Sequence, residues 1–152
     1  MRRQSRGFSL IELLIVIAII LIIITIAVPK YAKTQMFMKE TAAIKAMQTI
    51  HQMEVQYQSQ YGRYAVSLAE LGPPASGSPT PAAADLIGAD LSGGTKQGYK
   101  YTLTGNQAGY VIIAVPENYG SSGSRTFYSD QTMVIRQNYG PEPATANSQP
   151  LP

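Results

Sequence analysis

Glu12 stands where a carboxylate is expensive. From Phe8 to Val28 only Ser9, Glu12 and Thr25 are polar, and as a helix this run spans roughly 31 Å at about 1.5 Å per residue, enough for a hydrocarbon core. An ionised carboxylate at mid-bilayer costs about 2.5–3.5 kcal/mol on insertion scales and less near an interface, so one that is kept marks function. Just ahead of it lie Gly7-Phe8 and the basic residues Arg2, Arg3 and Arg6, with no comparable cluster behind the run. The positive-inside rule then puts the N-terminus in the cytoplasm and most of the chain outside. The other residues able to do chemistry point elsewhere. The chain has one histidine, His51, and no cysteine, so thiol nucleophiles, thiolate metal sites and disulfides are excluded. His51 reads as a polar-face or boundary position on a helix. Phosphate-loop, serine-elbow and zinc-protease patterns are absent, and the ten tyrosines fit the strands of an exposed head. The reading is a protein that is not an enzyme.

The elements that position Glu12 follow from composition. The 152 residues allow one compact domain with an appendage. Leu13 to Ile24 is unbroken Leu, Ile, Val and Ala, too long for a secretory signal core and without an A-x-A site behind it. After Pro29 the pattern turns amphipathic: Ala43, Met47, Ile50, Met53, Tyr57 and Tyr61 form an apolar stripe, with Lys33, Lys39, Glu40, Lys45, Gln48, Gln52 and Gln56 mostly off it. The spacing predicts a helix over about 8–61, bent near Pro29 and stopped at Gly62. Ser67-Leu68-Ala69-Glu70 reads as a capping box for a short turn, and 72–84 as a low-complexity loop. Tyr99–Leu103 and Tyr110–Val115 predict a hairpin around Gly105–Gly109, and Arg125–Tyr128 with Met133–Arg136 a second around Ser129–Thr132. Residues 138–152 are polar and Pro-rich, and read as a flexible tail. The fold class is α+β: a long N-terminal helix packed on a small antiparallel sheet. The segments are 1–7, an apolar half 8–29, an amphipathic half 30–61, a β-rich head 62–137 and the tail.

The stretch Arg6-Gly7-Phe8-Ser9-Leu10-Ile11-Glu12-Leu13-Leu14 resembles the processing motif of type IV prepilins and type II secretion pseudopilins. The resemblance covers about the first thirty residues, where leader, Gly, Phe, Glu and apolar run agree in spacing. It implies a leader peptide cut after Gly7, N-methylation of the new terminus at Phe8, and a filament-assembly role for Glu12. Pro29 falls where many members carry a helix-bending proline. Cleavage after Gly7 creates a cationic amine at Phe8, in the apolar zone, that can meet Glu12 of a neighbouring subunit; an unpaired charge on either side is penalised, so the pair sets register. The run Phe127–Arg136 is similar to a recurrent pseudopilin ending.

The resemblance implies a structural filament subunit whose partners are other copies of itself, related minor pilins, a prepilin peptidase, an inner-membrane assembly platform and membrane lipid before assembly. It places the chain in a bacterial inner membrane, then in an extracellular pilus or a periplasmic pseudopilus. The alternatives are a type II secretion pseudopilin, to which the lack of cysteine leans, a membrane-anchored binding or sensor module that never polymerises, and a secreted protein with an atypical signal. No cofactor is expected. Calcium in a head loop has Asp85, Asp90 and Asp130 as its oxygen donors, but their spacing resembles no calcium loop and solvated loop carboxylates are the reading preferred. With net charge +3, three of those positives at the extreme N-terminus, no nucleic-acid surface is indicated.

Overall fold

The computed structural model describes residues 7–152. Met1–Arg6, with the basic cluster Arg2, Arg3 and Arg6 and most of the segment 1–7 expected as a leader, lie outside the described residues. The chain divides into two compact units, one reaching Thr34 and the other Gln35–Pro152.

Helix α1, Leu10–Tyr61, contributes to both units. In the first unit every described residue is exposed, and the helix assignment continues through Pro29. Proline has no N–H, so the Thr25 carbonyl one turn earlier loses its helical donor. Thr25 itself bonds back from Oγ1 to the Ile22 carbonyl at 2.7 Å, a pattern that often accompanies bending.

In the second unit α1 supplies one wall of the core. The buried positions Glu40, Ala43, Met47, Ile50, Glu54 and Tyr57 alternate three- and four-residue steps, which places them on a single face. The apolar stripe is therefore as expected at Ala43, Met47, Ile50 and Tyr57. Glu40, expected off the stripe, lies on it, and Met53 is only half-buried. Opposite stands a six-stranded antiparallel meander in sequence order: β1 (Thr95–Lys96), β2 (Tyr99–Gly105), β3 (Tyr110–Pro116), β4 (Arg125–Asp130), β5 (Arg136–Tyr139) and β6 (Gln149–Pro150). In β2, Tyr99, Tyr101 and Leu103 face in while Lys100, Thr102 and Thr104 face out, the period of a half-buried strand. They join Ile112, Ala114 and Phe127 in the same core cluster as α1. The fold is thus the α+β arrangement of a long helix and a small antiparallel sheet.

Two short helices, α2 (Leu68–Leu71) and α3 (Ala89–Ser92), complete the unit. The capping box expected at Ser67 is not made. The Ser67 side chain makes no cap bond, and Glu70 reaches back to the Val66 N–H instead, at 3.0 Å.

Two sequence expectations are corrected. The second hairpin is wider than predicted: Tyr128 pairs with Arg136, and Met133 sits in the left-handed region at φ 62°. Residues 131–135 therefore form an irregular loop, with Ile135 still buried and the Val134 carbonyl held by Ser129 Oγ at 3.0 Å. Residues 138–152 are not a free tail. Gln149–Pro150 pairs with β5, Ala144 is buried, and Thr126 Oγ1 donates to the Glu142 carbonyl at 2.7 Å. Arg136 Nη1 donates to the Ser148 carbonyl at 3.0 Å. The segment is tied down by sheet side chains bonding its backbone, which its own low hydropathy does not reveal.

Candidate functional site

The residues singled out by spacing meet at the start of α1. Among the described residues, nothing lies within 4 Å of where a Cβ on Gly7 would be. Phe8 is 80% exposed. Glu12 Oε2 accepts the Ser9 N–H at 3.0 Å, and the Leu13 N–H bonds the Ser9 carbonyl at 3.2 Å. This is the return half of a capping box, in which a Glu at the third helical position satisfies the backbone donor of the N-cap residue. Ser9-Leu10-Ile11-Glu12 carried that spacing in the sequence, and the sequence reading assigned Glu12 to assembly alone. A carboxylate accepts several bonds, so capping its own helix leaves capacity for a second donor, such as an amine on a neighbour.

Behind Glu12 the helix presents Leu, Ile and Val side chains on every side, from Leu13 to Val28, all largely exposed. The most apolar window has a mean hydropathy of 3.3 and none of it is buried within the chain. A surface this apolar all round has no stable existence in water, and fits lipid or packed helices. The segment is long and apolar enough to serve as a membrane anchor.

Residues 2–28 match the family model described as a prokaryotic N-terminal methylation motif. The chain carries that motif. It contains Gly7, Phe8 and Glu12 at the spacing set out above, and it ends one residue short of Pro29. The methylation motif is joined by a second likeness. The chain is 36% identical over 69 residues to the type IV major pilin protein PilA of Myxococcus xanthus, covering 45% of this chain and 31% of that protein. The matched stretch thus spans about a third of the relative's length. No solved structure matches the chain. Motif and pilin likeness each cover part of the chain, and both are what it is similar to.

The head contains buried polar contacts between α1 and the sheet that the sequence did not reveal. Glu40 accepts the Ser124 N–H at 2.7 Å and Ser124 Oγ–H at 2.9 Å. It also accepts Arg125 Nε–H at 2.8 Å, with Arg125 Nη2 a further 2.7 Å contact. Arg125 Nη1 goes on to Gln137 Oε1 at 2.8 Å, and the guanidinium lies 5.5 Å from the Phe127 ring centre. This network ties α1, β4 and β5 together.

His51, expected at a polar face or boundary, is buried. Its Nδ1 lies 2.7 Å from Tyr110 Oη and its Nε2 2.8 Å from Ser129 Oγ. Ser129 donates its proton to the Val134 carbonyl, so it accepts from Nε2–H, and Nδ1 accepts from the tyrosine. Burial pushes the imidazole pKa down against the opposing charge of Asp130, which favours the neutral ring. A histidine beside a serine invites comparison with a hydrolase. Here the serine proton is committed to a carbonyl and Ser129 is fully buried, so the pair serves packing. The aspartates named as calcium donors have different companions. Asp90 pairs with Lys96 at 2.9 Å, while Asp130 accepts the Thr132 N–H at 2.9 Å and Asp85 has φ 55° in a loop.

Proposed function

We propose that this protein is a structural subunit of a type IV pilus-like filament, cut after Gly7, N-methylated at Phe8 and polymerised through α1. The observation that carries the reading is the exposed apolar half of α1, broken by one carboxylate, the fifth residue after the cleavage point. Before assembly that half lies in the inner membrane, N-terminus cytoplasmic. After assembly it packs against the same half of other copies, where Glu12 receives the Phe8 amine of a neighbour. Lipid and a bundle of like helices are both apolar, so transfer between them costs little, and the charge pair then supplies direction and register. Prepilin peptidase, an assembly platform and minor pilins are the partners this route requires. Pro29, with the Thr25 carbonyl freed, is where the helix bends to suit the packing of core and heads.

The absence of cysteine favours one second reading, a type II secretion pseudopilin that polymerises by the same means in the periplasm.

Intact mass of the protein from its native membrane tests the processing step. Loss of Met1–Gly7 with gain of one methyl group is expected. A full-length, unmethylated chain overturns the reading in favour of a plain membrane-anchored module.

A further inference from the structure

The chain leaves α1 at Tyr61, turns at Gly62, which has φ 73°, and is then gripped by two carboxylates. Glu70 of α2 is the outer one. It takes Arg63 in a bidentate pair at 2.9 and 3.1 Å and the Val66 N–H at 3.0 Å. Glu54 of α1 is the inner one. Its Oε2 accepts the Ala65 N–H at 2.9 Å, its exposure is 0%, and its Oε1 is buried with no hydrogen-bond partner among the described residues. On the far side Ala65 packs so closely on β2 that a Cβ on Gly105 would collide with its carbonyl oxygen. Residues 63–66 are therefore wedged between α1 and the end of β2, with one wall held by a sealed carboxyl.

We propose that Glu54 is a proton-controlled latch, which holds the segment after α1 closed when protonated and lets it open when ionised. A buried carboxyl needs few partners, whereas a buried carboxylate needs several. The single backbone donor at Ala65 does not meet that need. The charged groups around it do not supply the rest. Arg63 is committed to Glu70, so its pull toward ionisation is the weakest influence on Glu54, and the like charge of Glu70 outweighs it. Tyr110 of β3 has its hydroxyl bonded to His51, one turn back on α1. Burial, the largest influence, raises the Glu54 pKa to about 7, against about 4.5 for a carboxyl in solvent. The closed form thus holds the proton more tightly than the open form. Its advantage is full at pH below the solvent value and fades as pH rises through about 7. Opening lets Glu54 ionise in water, at the cost of the Ala65 bond.

Amide hydrogen exchange on the full chain in detergent micelles reads this directly. Ala65 exchange, corrected for the intrinsic rate, should rise at least about tenfold between roughly pH 5.5 and pH 8.5, since each pKa unit is a tenfold shift. In Glu54→Gln, which keeps the acceptor and cannot ionise, the corrected rate should be flat. A flat wild type, or the same rise in the variant, overturns the latch. Should Glu54→Gln fail to fold, carbon-13 titration of the Glu54 carboxyl in the wild type decides instead. A midpoint near 7 supports the latch, and one below about 5 overturns it.

Discussion

At Glu12 two demands fall on one side chain, and they separate experimentally. The carboxylate caps its own helix through the Ser9 N–H, and in the proposed filament it also receives a neighbour's amine. Glutamine fills the cap position nearly as well as glutamate and carries no charge. Glu12→Gln should therefore keep the helix start and membrane insertion while abolishing filaments, as should Glu12→Ala at the further cost of the cap. Electron microscopy of surface filaments with membrane fractionation checks both. Normal filaments from Glu12→Gln would show that the charge pair is dispensable. At this scale the methylation motif was legible, because Gly7, Phe8 and Glu12 interrupt or border a run whose chemistry is otherwise uniform. The cap was equally written there, in Ser9-x-x-Glu12, but the carboxylate's isolation in an apolar run drew the eye to assembly.

Among the elements, α1 and β4 are joined by a buried ion pair rather than by apolar packing alone. Arg125 and Glu40 meet at 2.7 Å with both side chains mostly covered. Arg125→Met should destabilise the head by about 3–5 kcal/mol, because it strands the Glu40 charge with only the Ser124 donors. Adding Glu40→Leu should recover most of that loss, as buried pairs are often replaceable by apolar residues of similar volume. Urea unfolding of the two variants measures the difference, and equal stability would show that the pair is solvated. The position of Glu40 could have been anticipated. Steps of three and four run from Glu40 through Ala43, Met47, Ile50, Glu54 and Tyr57 to Tyr61 without a break. Reading only apolar letters hid the phase: it put Met53 on the stripe where Glu54 belongs, and put Glu40 off it.

For the whole molecule, the helix-plus-sheet class followed from periodicity, and the last fifteen residues did not. They contribute Ala144 to the interior and β6 to the sheet, but their anchors are side chains of Thr126 and Arg136 from strands before them. Local composition has no access to such bonds. Removal of residues 149–152 should lower stability by about 1–3 kcal/mol, from lost pairing with β5 and the Leu151 N–H to Ile135 carbonyl bond at about 0.5–1.5 kcal/mol each. Chemical unfolding checks this, and an unchanged midpoint would restore the free-tail reading.

The placement of β6 has a further consequence. A sheet's outer strand is a template on which another chain can extend the ladder, and the hazard grows with length and with free donors. Here the last strand is two residues long and one of them is Pro150, which offers no donor. At the opposite margin β1 is equally short and contains Lys96. Heads crowded side by side in a filament would be held at very high local concentration, where a long bare edge would invite zippering into cross-strand aggregates. The blunted margins suit such crowding, leaving association to the helices.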